Sequence, residues 1–382
     1  MTKLLCIFGT RPEAIKMAPV ISNLRKIYGQ NIQVCITAQH REMLDQVLKI
    51  FKIVPNYDLN IMQANQTLTQ LSSRLLVKLE EVLKIAKPDR ILVHGDTTTT
   101  FIASLAAFYQ QIPVAHIEAG LRSGNIYSPW PEEANRRLSG ILADCHFAPT
   151  QVAADNLLRE GYHSHQIHIT GNTVIDALLM TQQLINQNTD LHNQFIKRFN
   201  FIDPNKKLLL ITGHRRESFG KGFEQICNAL AKIAQRKDIQ LIYPVHLNPN
   251  VQKPVKQYLS NFDHIHLIEP LDYLPFVYLM TKAHIILTDS GGIQEEAPAL
   301  GTPVLVMRDV TERPEAIIAG TAKLVGSDSE KIYSAVIELL DNSESYQNMS
   351  QAHNPYGDGT ASQKISAIIQ QYHPIDVNTV IS

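Results

Sequence analysis

The sequence predicts an α/β protein built from two doubly wound parallel sheets, and three observations carry that reading. Short apolar runs alternate with longer segments of helical periodicity along nearly the whole chain, the pattern of parallel strands joined by crossover helices. The runs are continuously apolar rather than alternating, as strands buried on both faces are. The length of 382 residues exceeds what one hydrophobic core ordinarily serves and favours two domains, each of roughly 170–200 residues.

In the first half the strand candidates are Leu4–Phe8, Gln33–Thr37, Arg90–His94, Val114–Glu118, Cys145–Ala148 and Gln166–Thr170. Each leads through a turn-forming or polar loop into a helix candidate. Thr97 to Ile117 lacks Asp, Glu, Lys and Arg over a span long enough to cross a bilayer, but threonines, glutamines and Pro113 interrupt it. It reads as a helix followed by a buried strand, not as a membrane span. Strand signals lapse after Gly171, through the helix Ile175 to Leu184 and the polar stretch Asn186 to Asn205, where the domains should join.

In the second half the strand candidates are Leu208–Thr212, Leu241–Val245, His266–Ile268, Ile285–Thr288, Val304–Met307 and Lys323–Val325. Phe223, Ile226, Leu230 and Ile233 share one helical face, as do Ile332, Val336 and Leu339. One amphipathic segment, Ile365 to Tyr372, and an irregular tail follow. The expected division is a domain of 1–171, a second of 172–360, and a C-terminal helix and tail of 361–382 that returns to the first domain. No solenoid repeat or low-complexity tract interrupts the pattern.

Composition narrows the class. The chain is 44% apolar and 19% charged, with Lys+Arg 35 against Asp+Glu 36, so a general nucleic-acid binder is not indicated. Cys6, Cys35, Cys145 and Cys227 lie far apart with no Cys-x-x-Cys pair, which suggests reduced, buried thiols rather than a zinc knuckle or disulfide framework. The apolar run Leu4 to Phe8 is too short for a signal-peptide core, so a cytoplasmic location is expected.

In open α/β sheets ligands bind beyond the carboxyl ends of the strands, and a cleft between two such domains collects both sets of ends. Gly9 to Lys16 places glycine, Arg11 and, one turn later, Lys16 at a strand-to-helix junction, where backbone N–H groups and two cations make an anion site. A tight turn with two solvated cations is the plainer alternative. Ser290-Gly291-Gly292 opens a helix whose small residues would admit a pyrophosphate to the backbone amides, with Glu296 one turn on able to accept two ribose hydroxyls. An ordinary capped helix with an acidic first turn reads the same way. No Walker fingerprint is present, and no Gly-x-Gly-x-x-Gly follows a strand, so neither a nucleoside triphosphatase nor a bound nicotinamide is indicated.

The acidic set is Asp96, Glu118, Glu132 and Glu133, with His214 in the other half beside Arg215 and Arg216. Carboxylates in cleft loops are desolvated enough to serve as bases, and Asp96 and Glu118 follow neighbouring strand candidates and should converge. Glu132 and Glu133 follow Ser128-Pro129-Trp130-Pro131 at a helix start, a position with a purely structural explanation too. Fifteen histidines raise the question of a metal, but no His-Glu-x-x-His or Cys/His cluster occurs. The pairs His163/His165 and His264/His266 fall in segments that read as connections. No metal and no cofactor are expected.

Phe8-Gly9-Thr10-Arg11-Pro12-Glu13-Ala14-Ile15-Lys16, Val93-His94-Gly95-Asp96-Thr97-Thr98-Thr99-Thr100, His116-Ile117-Glu118-Ala119-Gly120-Leu121-Arg122, Thr288 to Pro298 and Arg308 to Glu315 together form a distinctive set. It resembles the non-hydrolysing UDP-N-acetylglucosamine 2-epimerases, from Leu4 to about Gly359. The resemblance implies the GT-B fold, two Rossmann-like domains flanking a cleft, and interconversion of UDP-N-acetylglucosamine and UDP-N-acetylmannosamine by elimination of UDP to 2-acetamidoglucal and re-addition. It implies that Asp96, Glu118 and Glu132 share the acid/base work with His214 beside the diphosphate, without assigning carboxylates to faces of the sugar. It further implies that Arg11, Lys16, Phe276, Ser290, Gly291, Gly292, Glu296 and Arg313 bind UDP and the substrate.

Members of that family are activated by UDP-N-acetylglucosamine at a second site, for which Gln39, His40, Arg215 and His246 correspond by position. Some members carry Gln at the places of Glu42 and Leu271 and Arg at that of Asn65, so this chain departs there. Domain closure, a homodimer, and a place in surface-polysaccharide synthesis are likewise implied. A hydrolysing 2-epimerase, a GT-B glycosyltransferase and a non-catalytic sugar-nucleotide sensor are the competing readings.

Overall fold

The computed structural model describes residues 2–38, 41–63 and 65–371. These form two units, one of 2–177 with 356–371 and one of 178–355. In the first unit β1 (Leu4–Phe8), β2 (Ile32–Ile36), β3 (Tyr57–Asp58), β4 (Arg90–His94), β5 (Val114–Ile117), β6 (Cys145–Ala148) and β7 (Ile167–Ile169) make one parallel sheet in the order β3-β2-β1-β4-β5-β6-β7. In the second, β8 (Lys207–Thr212), β9 (Ile239–Pro244), β10 (Ile265–Ile268), β11 (Ile285–Thr288), β12 (Val304–Val306) and β13 (Ala322–Leu324) follow the order β10-β9-β8-β11-β12-β13. Each sheet therefore reverses its direction of growth beside its first strand, between β1 and β4 and between β8 and β11. Within each unit the switch point opens a crevice at the carboxyl ends of its own strands.

The apolar runs are strands because burial on both faces favours apolar side chains along the whole run. β1 and β4 are buried at every position, and β8 is buried through Leu208 to Ile211. Phe223, Ile226, Leu230 and Ile233, on the helix Lys221–Ile233, join Ile332, Val336 and Leu339, on the helix Ser329–Asp341, in one core against the second sheet. Each such side chain contributes about 1.5–3 kcal/mol by leaving water.

Three departures from the sequence reading have local causes. β3 is only two residues long and sits at a sheet edge, where no apolar run is required. The polar stretch after Asn186 contains a helix, Thr189–Arg198, capped by Asn188. Phe195 in that helix packs on Tyr278 with rings tilted at 5.2 Å and Phe199 after it stacks on the same ring at 5.7 Å, so two aromatic anchors hold a segment that is otherwise polar. The pair His264/His266 is not wholly a connection: His266 lies in β10, as the strand candidate His266–Ile268 has it, and rests on Phe201 at 4.4 Å.

The charge-free segment forms the helix Thr98–Tyr109 and then β5, and no helix among the described residues is long and apolar enough to cross a membrane. The helix Thr173–Gln187 spans the division between the units. The helix Ala361–Gln371 packs on the helix Arg11–Tyr28, where Asn23 donates to the Ser362 hydroxyl at 2.8 Å and the Ser362 amide donates to Asp176 at 2.7 Å. Tyr372 and the tail after it lie outside the described residues. All four cysteines are buried and free, and burial pushes their thiols up to about 12.

Candidate active site

The first unit gathers charge at the ends of β1, β4 and β5. After β1 the chain turns into the helix Arg11–Tyr28 through a capping box, in which Glu13 accepts the Gly9 and Thr10 amides at 3.0 and 2.7 Å. The same buried carboxylate accepts the Thr97 and Thr100 hydroxyls at 2.7 and 3.1 Å, tying the β1 loop to the loop after β4. Gly9 lies between the Thr37 and Thr99 hydroxyls, and any Cβ there would overlap both. Arg11 is half-buried at the first helical residue, and Lys16 one turn later pairs with Glu118. Lys16 thus carries its charge to a carboxylate of the same unit.

Glu118 follows β5 in the left-handed region, at φ 62°, a conformation uncommon outside glycine. Besides Lys16 its carboxylate accepts Asn172 Nδ2 at 3.0 Å and lies 4.0 Å from His94 Nε2. Burial holds His94 neutral, its pKa lowered to about 3 despite the pull of Glu118. His116 on β5 donates from Nε2 to the Gly95 carbonyl at 2.7 Å and is lowered to about 4, again by burial. Neutral rings here leave Lys16 and Arg136 as the cations facing the carboxylates.

Asp96 follows β4, next to β5 in the sheet, so the two strand ends bring Asp96 and Glu118 together as their neighbouring positions require. One oxygen, Oδ2, accepts Arg136 Nε at 2.9 Å and lies 2.7 Å from its Nη2. Oδ1 has no hydrogen-bond partner among the described residues. Burial raises the Asp96 pKa and the Glu118 charge adds to this, against the opposing pull of Arg136 and Lys16. A raised carboxyl with one oxygen anchored and one available is suited to moving a proton.

Glu132 and Glu133 open the helix Glu132–Leu142 and take different parts. Glu133 is fully buried and accepts the Ser123 amide at 3.0 Å, Arg136 Nη1 at 3.1 Å and Arg137 Nε at 3.3 Å. Arg136 therefore bridges Glu133 and Asp96. Glu132 is half-buried beside it, with no hydrogen bond to another described residue.

In the second unit His214 and Arg215 follow β8 and face the loop after β11. Both their amides donate to Asp289 Oδ2, at 2.6 and 2.7 Å. His214 stacks on His246 with ring centroids 5.3 Å apart and planes 15° from parallel. Arg215 Nη2 lies 4.0 Å from Glu312, and Gln39 and His40 lie outside the described residues.

Ser290 caps the helix Gly291–Glu296 without a side-chain bond of its own, and Glu296 Oε1 lies close over Gly292. Arg313 pairs with the buried Glu295 and so is braced against the same helix. Phe276 is half-buried on the helix Tyr273–Lys282. No group of three or more His, Cys, Asp or Glu that could hold a metal occurs among the described residues.

Three partners in these clusters carry no spacing signal in the sequence. Arg136 is forty residues from Asp96, Asn172 is fifty-four from Glu118, and Asp289 is seventy-five from His214. Asp289 alone offers a hint, a charge at the end of an otherwise apolar strand.

Comparison with known proteins gives this geometry a family. The family model described as UDP-N-acetylglucosamine 2-epimerase matches residues 23–370. The UDP-N-acetylglucosamine 2-epimerase of Escherichia coli O157:H7 is 60% identical over 95% of this chain and 97% of its own. The crystal structure of the UDP-GlcNAc 2-epimerase from Neisseria meningitidis bound to UDP-GlcNAc is 55% identical with a TM-score of 0.87, covering 97% of this chain and 100% of that one. That of the Methanocaldococcus jannaschii enzyme in complex with UDP-GlcNAc and UDP is 35% identical with a TM-score of 0.77, with the same coverage. The fold is accordingly of the GT-B class. Sequence blocks, switch-point loops and likeness over nearly the full length agree: the chain belongs to the UDP-N-acetylglucosamine 2-epimerase family.

Proposed function

We propose that the protein epimerises UDP-N-acetylglucosamine at C2 to UDP-N-acetylmannosamine by elimination and re-addition of UDP. One observation carries the reading: Asp96 and Glu118 end adjacent parallel strands, and each is held by a cation, Arg136 and Lys16, in a half-buried setting. The C2 hydrogen is not acidified by a ketone, so a free carbanion is too costly. Loss of the proton from C2 with departure of UDP from C1 forms the C1–C2 double bond of 2-acetamidoglucal. UDP then adds back at C1 as a proton is delivered to the other face of C2.

Asp96, Glu118 and Glu132 supply the acid/base groups of this scheme. In the second unit His214, the Ser290-Gly291-Gly292 amides, Glu296, Phe276 and Arg313 serve the nucleotide, and Arg11 and Lys16 add cations for the diphosphate. Preorganised donors stabilise the charge that develops on a leaving diphosphate.

The test is turnover of UDP-N-acetylglucosamine in heavy water, followed by proton NMR. Deuterium at C2 of both epimers, without free sugar, is the expected result. Absence of deuterium would defeat the elimination mechanism, and stoichiometric N-acetylmannosamine with UDP would make the enzyme a hydrolysing one. A glycosyltransferase gives no epimer in the absence of an acceptor, and a sensor gives no turnover at all.

We also infer a homodimer. The helices Leu68–Ala86, Thr98–Tyr109 and Glu132–Leu142 pack side by side and leave Val77, Ile85, Phe108, Tyr109, Leu138 and Ile141 exposed. Exposed apolar side chains gathered on adjacent helices mark an association surface. Sedimentation velocity should give a dimer that Phe108→Asp combined with Ile141→Asp converts to a folded monomer; a wild-type monomer at micromolar concentration would refute it.

A further inference from the structure

The turn between β8 and the His214 loop is clamped from two sides. Tyr243 on β9 donates its hydroxyl to the Gly213 carbonyl at 3.0 Å, and Asp289 Oδ2 takes the next two amides. Asp289 is 2% exposed, yet its other oxygen, Oδ1, is buried with no hydrogen-bond partner. A buried carboxylate oxygen left without a donor costs free energy unless something occupies it. The group facing it is His214 Nδ1, at 3.4 Å. A shift of a few tenths of an ångström would complete a charge-assisted bond.

We propose that Asp289 is a positioning residue for His214, holding the imidazole with its proton on Nδ1 so that Nε2 is the nitrogen that accepts and returns a proton. This rests on the reading of His214 as part of the epimerase machinery. The surroundings agree. His246, stacked on His214, accepts the Asn248 amide at its own Nδ1 at 3.1 Å, which fixes its orientation and leaves its proton on Nε2. His214 is the half-exposed ring of the pair formed with Asp289, and the carboxylate supports the imidazolium when a second proton arrives. The arrangement is that of a carboxylate-oriented histidine, in which the acid fixes tautomer and ring without itself taking the proton. Among the described residues Asp289 is the carboxylate paired with the His214 ring, and Arg215 lies 4.0 Å from Glu312.

Asp289→Asn separates positioning from architecture. The amide oxygen still accepts the His214 and Arg215 amides, but the amide NH₂ now faces Nδ1 and forces that nitrogen to be the acceptor. In nitrogen–proton correlation spectra of the free enzyme labelled in histidine, with His214 assigned by its loss in His214→Gln, the wild type should show the Nδ1–H tautomer and Asp289→Asn the Nε2–H tautomer. In the same variant kcat should fall on the order of 10²-fold or more while KM moves less than about threefold. An Nε2–H tautomer in the wild type, an unchanged tautomer in the variant, or a switched tautomer with unchanged kcat would each overturn the assignment. The wild-type tautomer is read without any substitution, so a variant that fails to fold leaves the proposal testable. Failure of the epimerase reading shows separately, as a wild type that makes no epimer.

Discussion

Asp96→Asn is expected to lower the turnover of UDP-N-acetylglucosamine by about 10²–10⁴-fold, with KM changed only a few-fold. The substitution preserves size and leaves an oxygen for the guanidinium of Arg136, which now meets Asp96 Oδ2 through two nitrogens. What it removes is a basic oxygen. Asp96 Oδ1 takes no protein donor among the described residues, while Lys16 and Asn172 both hold Glu118 at Oε2. Burial and the Glu118 charge both raise the Asp96 pKa, bringing it toward the range where a carboxylate both takes and gives protons. Asparagine does neither.

The measurement is steady-state epimerisation from both substrates, paired with deuterium uptake from heavy water. Asp96 serving one face only would leave exchange at C2 of one epimer while net epimerisation fails. Turnover within threefold of the wild type would remove Asp96 from the acid/base set. Glu118→Gln provides the comparison, since there the change also releases Lys16 from its ion pair.

The contrast between Asp96 and its partners shows what the sequence made legible. The strands could be read because a parallel sheet buried on both faces demands continuous apolar runs, and β4, β6 and β11 match the expected bounds residue for residue. The switch-point loops could be read because glycine and charge there have no place in a core. Side-chain pairing across the sheet could not, because it depends on which strand lies beside which and at what height. Asn172 reaches Glu118 only because β7 closes the sheet next to β6 and the chain then turns back.

Lys16 shows the same limit. Its place one turn into the helix Arg11–Tyr28 was legible, but its partner follows from the position of β5 two strands away from β1. The helix Thr189–Arg198 was hidden for a different reason. Most of its surface is polar, and two aromatic side chains, one in the helix and one just after it, do the packing that a periodic apolar face does elsewhere.

Glu13→Ala is expected to destabilise the protein by about 2–4 kcal/mol in urea unfolding and to lower epimerase activity as well. The carboxylate is 3% exposed and joins four donors from two loops. Burial raises its pKa against the combined pull of those donors, so it is a strained group held by what surrounds it. Without it the Thr100 hydroxyl keeps the His94 carbonyl at 2.6 Å, and Thr97 keeps the Thr100 amide at 3.2 Å. The Gly9 and Thr10 amides lose their side-chain acceptor, and at Gly9 the overlap with Thr37 and Thr99 leaves no room for a side chain to replace it. The cost therefore concentrates on two amides at a helix start, one of them buried.

The functional loss follows from the same geometry. Glu13 couples the loop carrying Arg11 to the loop carrying Asp96, and misplacement of a reacting group by about an ångström costs on the order of 10²-fold. Glu13→Gln should recover much of the stability, because its carbonyl oxygen still serves both amides while the two threonine hydroxyls rotate to accept its NH₂. A Glu13→Ala variant as stable as the wild type within 1 kcal/mol, or a Glu13→Gln variant no better than the alanine, would mean that the Glu13 carboxylate does not hold the two strand ends together.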